Sequence, residues 1–440
     1  MKLAGWGRYP THDVQLRAPR DEAALQTLVA ETGAIARGNG RAYGDSALSE
    51  TNTIHMRHFN RMISFDDKTG VLVAESAVLA GDIIAAFLPH GWFLPVTPGT
   101  KFVTLGGMIA ADVHGKNHHI DGSFGAFVDW IDVMEPDGTI TRCSARRNKA
   151  LFEWTVGCMG LSGVILRAAV RLRPVESGWI RQQMIPTGDL NETIDTFEAH
   201  GDATYSVAWI DCLSKGTQQG RSLVMLGEHA ALDDLPRPRR KRPFETKTKR
   251  KLSVPFSPPA FFMNGLSVRA FNSLYYWKGT RSAGDSLVDW DSYFYPLDAI
   301  LNWNRIYGRR GFAQFQCVLP LEASRAGMTA LLSAISDAGV GSFLAVLKRM
   351  GPQQSRFSFP MEGYTLALDF PVNARTLKLM DRLDAITLDH AGRFYLAKDA
   401  RMSAETLRKS DPRIEAFLKM RHDKNRAETF ASAQSQRLAL

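Results

Sequence analysis

Residues 96–125, VTPGTKFVTLGGMIAADVHGKNHHIDGSFG, decide how the rest of the chain is read. The stretch is dense in glycine, carries three histidines and is poor in the charges that a solvated loop would hold. Gly99, Gly106 and Gly107 fall where a backbone turns tightly or approaches another surface closely. The apolar run Met108-Ile109-Ala110-Ala111 separates them from Asp112-Val113-His114-Gly115-Lys116. Small residues followed by titratable ones suggest a wall laid flat against a large ligand, with polar groups at its reactive end. A glycine turn leading into a buried helical turn is the plainer alternative, and a glycine motif alone does not separate the two.

A second glycine-rich loop lies upstream. Residues 21–32 place Ala24, Leu25, Leu28 and Val29 on one helical face, and Ala34-Ile35-Ala36-Arg37 reads as a short buried strand. The strand runs into Gly38-Asn39-Gly40-Arg41-Ala42-Tyr43-Gly44-Asp45-Ser46. Strand followed by Gly-x-Gly invites a nicotinamide-dinucleotide reading, but the third glycine, Gly44, comes one place late, and turn and strand follow where a helix is needed. That reading fails. A nest of backbone N–H groups in such a loop can still hold phosphate without a helix.

At 440 residues, two domains are the natural expectation, and 45% hydrophobic with 22% charged residues describes a folded chain. The N-terminus lacks a signal-peptide pattern, and no window approaches the ~18 uninterrupted apolar residues of a membrane span. A cytoplasmic or peripheral membrane-associated protein is expected. Cys143, Cys158, Cys212 and Cys317 are far apart and form no CxxC pair, which suits a reducing compartment and gives no zinc pattern. The net charge of +9 is mostly local: residues 236–251, PRPRRKRPFETKTKRK, hold nine Lys/Arg against one Glu. A basic segment on a near-neutral body argues against a protein dedicated to nucleic acid.

The fold class expected is α+β. Strands are predicted at 53–56, 62–65, 71–75, 92–96, 128–134, 139–142 and 163–172, with a helix at 81–88. From about residue 176, alternating stretches at 205–211, 222–226, 312–319, 342–347 and 364–370 read as strands of one large antiparallel sheet. Helices at 190–200, 323–338 and 373–391 would cover it. The proline-rich basic segment 232–259 is expected to be a mobile loop. Residues 392–399, GRFYLAKD, read as a last strand before a helical tail.

Taken together, these stretches resemble the flavin-dependent oxidases of the vanillyl-alcohol-oxidase type, and within them the branch acting on polyprenyl-phosphoryl-ribose. The tags that carry it run the length of the chain: Gly5-Trp6-Gly7-Arg8, the Ala36–Asp45 loop, Pro98-Gly99-Thr100, Asp112–His119, Gly122–Gly125, Tyr295-Pro296-Leu297-Asp298, Asp369-Phe370-Pro371 and Ala397-Lys398-Asp399. Each is weak alone, whereas their order and spacing are specific. The resemblance implies a PCMH-type FAD-binding domain over 1–177, rejoined by 393–440, with a substrate-binding domain over 178–392 between. The FAD pyrophosphate would lie on Ala36, Arg37, Gly38, Asn39, Gly40, Arg41, Ala42, Tyr43, Gly44, Asp45 and Ser46. Gly99, Thr100, Thr104, Leu105, Gly106, Gly107, Ala111, Asp112, Val113 and His114 would line the flavin, with Ile165 and Tyr395 adding contacts. Some relatives attach the flavin through a histidine in the first loop; Ala36–Ser46 contains none, so FAD is expected to be non-covalent.

Lys398 stands out because a lysine within an otherwise apolar strand needs a reason to be buried. Its ammonium would stabilise the negative charge that reaches the flavin with a hydride; by pattern alone it could equally snorkel at a strand end. Tyr43, Gln314, Gln316 and Lys348 match family positions that line the sugar pocket. Gln314 and Gln316, two apart on a strand, share a face, either toward a polyhydroxylated ligand or toward solvent. Lys348 would meet a phosphate or sit at a strand end on the surface. His114 and Lys116 are taken as pocket residues, and no metal is assigned, because H-x3-H-H without carboxylates is not a zinc signature. Mycobacterial members of the family have a cysteine where this chain has Ala367 and an asparagine where it has Thr365. Inhibitors that trap that cysteine should therefore not bond covalently here.

The resemblance implies oxidation of the 2′-hydroxyl of a polyprenyl-phosphoryl-ribose to the 2-keto sugar, the first half of an epimerisation to arabinose for cell-envelope arabinan. A short-chain reductase would be the partner, and the basic segment could touch anionic lipid. An aldonolactone- or alditol-type oxidase acting on a soluble sugar is the alternative; Tyr395-Leu396-Ala397-Lys398 lacks the His-Trp those enzymes carry. A nucleic-acid or membrane binding module with a vestigial flavin fold is a third.

Overall fold

The computed structural model describes residues 1–246, 252–257 and 265–440. Its first part is built on two small sheets. Leu16–Arg17, Asn52–His55 and Ala34–Arg37 form a parallel three-stranded sheet. Next to it, a five-stranded antiparallel sheet runs in the order Ile140–Cys143, Val128–Met134, Val164–Arg171, Val71–Glu75, Met62–Asp66. Between them the glycine-rich stretch forms the short helix Leu105–Ala110, whose N-cap Thr104 accepts a hydrogen bond from the Gly107 N–H.

The second part is one eight-stranded antiparallel sheet: Gly284–Asp289, Trp179–Thr187, Ser222–His229, Tyr205–Ile210, Ala345–Met350, Gly363–Pro371, Phe312–Pro320, Arg393–Phe394. Side chains alternate across it as strand geometry demands. Ala313, Phe315, Cys317, Leu366, Leu368, Phe370, Ala345 and Leu347 face the main hydrophobic core, under helices Leu190–Ala199, Leu321–Ala338 and Ala374–Asp389. Their neighbours Gln314, Gln316, Ala367, Asp369, Val346 and Lys348 face the opposite way, into a cleft against the first part. An α+β fold with a large antiparallel sheet covered by helices is what the sequence led one to expect.

Several elements differ from expectation. The strand at 92–96 is only Trp92–Phe93. Strand Trp179–Thr187 and helix Gly265–Arg281 were not foreseen: Arg181-Gln182-Gln183 hides the alternation, and the helix spreads its apolar residues around its circumference. The strand expected over 392–399 ends at Phe394. There the chain leaves the sheet edge and turns, with the Lys398 and Asp399 N–H groups both donating to the Tyr395 carbonyl. Lys398 therefore stands on a turn and not on a strand. Where it is described, the segment 232–259 carries local structure: Leu232–Asp234 and Arg237–Arg240 are helical, Arg239 stacks over Trp179 at 3.8 Å, and Leu252–Ser253 pair with Ile300–Leu301. Residues 247–251 and 258–259 lie outside the described residues. Among the described residues no helix is long and apolar enough to cross a membrane.

The C-terminal helices return to the first part. Phe430 bridges Ala34, Arg426 donates to Glu135 and to the Ser162 carbonyl, and Gln434 donates to the Leu396 carbonyl. Arg437 binds two buried carboxylates at once, Asp45 at 2.8 Å and Asp399 at 2.8 Å. Burial alone would raise the Asp399 pKa, but Arg437 and the Arg401 and Met402 N–H groups hold it below the usual carboxylate range. Removing one partner from such a group leaves uncompensated buried charge. Arg437→Ala should cost about 3–5 kcal/mol in urea denaturation, and Arg437→Lys should restore only part of it, because one ammonium cannot fork across both carboxylates.

Candidate active site

The cleft between the glycine stretches and the open face of the large sheet has a volume of about 530 Å³, within the ~300–1,000 Å³ range of small-molecule sites. One wall is bare backbone. A Cβ on Gly38 would lie 2.2 Å from Thr104 Oγ1, and one on Gly106 would lie 2.8 Å from the Ser76 Cβ, so the first loop and the short helix touch through glycine. Gly99 has open space on its Cβ side. Gly107, Ala110, Ala111, Val113 and Ile165 continue the flat surface. At one end lie Gly38–Tyr43 with Ser46, and Arg41 stacks over Trp6 at 4.2 Å. Arg41 Nε, Ser46 Oγ and Ser76 Oγ are buried there without a hydrogen-bond partner among the described residues.

The reactive end is built by the Tyr395–Lys398 turn. The Tyr43 N–H donates to the Ala397 carbonyl at 2.9 Å, which locks the turn onto the first glycine loop. Lys398 Nζ sits 3.7 Å above the Tyr43 ring. Burial lowers the Lys398 pKa to about 8, against the pull of Asp369. Tyr395 donates to the Ala111 carbonyl at 2.9 Å, tying the turn to the glycine wall as well. Burial pushes the Tyr43 phenol well above its usual value, so it keeps its proton.

The sheet supplies the other wall. Gln316 Nε2 lies 3.1 Å from His114 Nε2 and donates to Thr365 Oγ1 at 3.1 Å. Lys348 Nζ lies 3.1 Å from His114 Nδ1. Burial, then Lys348, His118 and Lys398, hold the His114 pKa well below its usual value, so the ring is neutral. A neutral imidazole has one donor and one acceptor. If Gln316 donates to Nε2, Nδ1–H must donate to an uncharged Lys348 amine. Burial, then Lys398, lowers the Lys348 pKa to about 7, which permits that state.

Not every expected residue belongs to the cleft. Lys116, half-buried, is engaged elsewhere: its ammonium donates to the Tyr293 carbonyl and lies 4.0 Å over that ring. It is not among the residues lining the cleft, and its loop is held by the Ser206 N–H donating to the Lys116 carbonyl. Thr365 braces Gln316 from beneath, whereas Ala367 reaches the surface. Arg37, Gly44, Asp45, Leu105 and Asp112 shape the walls without lining them. Arg37 donates to the Ala4 carbonyl, Gly44 packs on Asp399, Asp45 pairs with Arg437, and the Asp112 carboxylate accepts from Ser123 and Gly125. His118 and His119 turn away, toward Gln353 and the Ala203 carbonyl. Asp369 and Asp298, quoted in sequence only as parts of tags, are lining carboxylates that residue patterns did not single out.

A glycine-walled trough, unpartnered donors along the first glycine loop and a half-buried cation on the Tyr395–Lys398 turn fit a flavin nucleotide. Residues 15–144 match the model of an FAD binding domain. The chain is 36% identical to decaprenylphosphoryl-beta-D-ribose oxidase of Mycolicibacterium smegmatis, over all of this chain and 97% of that one. It is 29% identical to an uncharacterised protein in the mprA 5′ region of Streptomyces coelicolor, over 80% of this chain and 97% of that one. Similarity to L-gulonolactone oxidase of Mus musculus, at 28%, covers 37% of this chain and 36% of that one. The protein is an FAD-dependent oxidoreductase of the vanillyl-alcohol-oxidase type. Within that class it belongs to the family of decaprenylphosphoryl-beta-D-ribose oxidase. Gly38→Ala should drive a methyl into Thr104 Oγ1 and part the two glycine stretches; a variant that purifies folded should carry at least about tenfold less FAD by absorbance, an effect of about 1.4 kcal/mol on binding.

Proposed function

We propose that the protein oxidises the 2′-hydroxyl of a polyprenyl-phosphoryl-ribose to the 2-keto sugar, for a short-chain reductase partner to complete an epimerisation to the arabino form. The observation that carries the reading is the placing of a half-buried lysine, two amides and a second lysine around one cavity that the glycine wall closes. Bound FAD supplies the hydride acceptor. Residues 1–177 and 393–440 are proposed as the FAD-binding domain and 178–392 as the substrate-binding domain. The cofactor is non-covalent, since Ala36–Ser46 offers no histidine.

The chain's own residues divide the work. Gln314 and Gln316 present amides to the sugar hydroxyls, and Tyr43 adds a phenol that stays neutral. Lys348 meets the phosphate: near pH 7 it is part neutral, and the single negative charge of an entering phosphodiester favours the ammonium. Protonation switches its partnership with His114, so the ring must present a lone pair to Lys348 once phosphate is bound. Lys398 provides fixed positive charge where negative charge accumulates, in a site from which water is largely excluded. Ala367 leaves room where mycobacterial relatives have a thiol.

The basic segment 236–251 is proposed to contact anionic lipid, where the polyprenyl tail of such a substrate resides. Acid precipitation of the wild type should leave all flavin in the supernatant. Lys398→Ala should bind FAD but be reduced by a short-chain prenyl-phosphoryl ribose at least about 10²-fold more slowly in anaerobic mixing; an unchanged rate removes the lysine from the mechanism. Replacing Lys247, Lys249, Arg250 and Lys251 by Gln should weaken pelleting with phosphatidylserine vesicles while turnover on that short-chain substrate stays within twofold, about 0.4 kcal/mol.

A further inference from the structure

Asp369 is one of two buried carboxylates lining the cleft, with Asp298, alongside Arg41, Lys348 and Lys398. It lies on strand Gly363–Pro371, 1% exposed, directly opposite Gln314 across the sheet. Gln314 Nε2 donates to its Oδ1 at 2.5 Å. Its backbone N–H is satisfied by Ser342 Oγ, so the residue is fixed by both neighbouring segments. Its Oδ2 is buried with no hydrogen-bond partner among the described residues, and the residue lines the cleft. A carboxylate oxygen left bare against a cation-rich cavity is a costly arrangement unless a ligand completes it.

We propose that Asp369 is the general base of the oxidation, its Oδ2 accepting the proton of the hydroxyl that becomes the ketone. This rests on the function proposed above only in taking a secondary alcohol as substrate. In the balanced step, the O–H bond breaks with its proton passing to Asp369. The C–H bond on the same carbon breaks with its electron pair passing to FAD as hydride, and C–O becomes C=O. The alcohol is oxidised, FAD is reduced, and Asp369 ends neutral.

The other groups in the cleft are less free to take that proton. Tyr43 holds its own proton, both nitrogens of His114 are engaged by Gln316 and Lys348, and Asp298 accepts from Thr100 Oγ1 and the Lys101 N–H. Lys348, when neutral, is the remaining rival, but it is tied to His114. Lys398 acts on Asp369 electrostatically from the turn, no ion pair within 4 Å joins them among the described residues, and both line the cleft.

Groups from four elements bear on the carboxyl: Gln314 from the adjacent strand, Lys398 from the turn, Tyr43 from the glycine loop and Tyr307 from helix Trp303–Tyr307. Burial raises its pKa to about 7, with Gln314 and Lys398 pulling it back. A base must be unprotonated to act, so kcat/KM should fall as pH drops through about 7.

The test compares wild type, Asp369→Asn, Asp369→Glu and Lys348→Met as FAD-loaded enzymes. Asp369→Asn should keep FAD and bind the keto product within a few-fold, while kcat falls about 10²–10⁴-fold and its residual rate loses the acid limb. Lys348→Met should keep that limb. Infrared difference titration of the oxidised enzyme without substrate should show a carboxyl band titrating near pH 7 that Asp369→Glu shifts and Asp369→Asn removes. Three results overturn the proposal: an unchanged rate in Asp369→Asn, an acid limb that vanishes with Lys348 instead, or no carboxyl titrating above about pH 5. If Asp369→Asn does not fold, the infrared band and the Asp369→Glu profile decide. Failure of prenyl-phosphoryl ribose to reduce the wild type would sink the substrate reading alone; the infrared arm needs no substrate, and the kinetic arm moves to whichever sugar alcohol does reduce it.

Discussion

One guanidinium holds the two halves of the active site together. Arg437 forks between Asp45, at the end of the first glycine loop, and Asp399, one residue past the lysine that faces the cleft. Both acids are buried, and Arg437 is the ion-pair partner they share. Everything at the reactive end is referenced to this contact. The Tyr43 N–H to Ala397 carbonyl bond, the Lys398 ammonium over the Tyr43 ring and the Tyr395 hydroxyl on the glycine wall all need the turn and the loop to keep one relative position.

The cleft itself is electrostatically unfinished. Lys348 and Lys398 are both half-buried, and burial together with Lys398 lowers the Lys348 pKa, with Asp369 as the acidic counterweight to Lys398. Desolvated positive charge of this kind is expensive in an unliganded protein and favourable once anionic groups arrive. A phosphorylated sugar and a flavin gaining negative charge are both ligands of that type, so the same arrangement serves binding and chemistry. Stability and function pull against each other here, and the large helix-covered core behind the sheet supplies the rigidity that keeps the lysines from swinging out.

How much of this was legible in the chain depends on which physical signal carried it. Period-two alternation put Gln314 with Gln316, and the sheet duly turns both toward the cleft. The glycine stretches were readable because only close backbone approach explains Gly38 and Gly106, each of which would meet a neighbour within 3 Å if it had a Cβ. Lys398 was noticed for being out of place among apolar residues, but its strand was not there: the turn is dictated by Tyr43, some 350 residues away, and no local pattern encodes that partner. The contact of Lys116 with Tyr293 is equally invisible in the local pattern, since the two are far apart in the chain. Asp369 looked like any acid at a strand end, and its exceptional feature, an unpartnered buried oxygen, exists only in three dimensions.

The return of the tail also dictates an order of events during biosynthesis. The first glycine loop can form early from the nascent chain, but Asp45 stays uncompensated and the trough stays open until the segment carrying Lys398 and Arg437 has been made and folded back. The complete trough therefore waits on the segment that carries Arg437, which joins the Asp45 loop to the Asp399 turn.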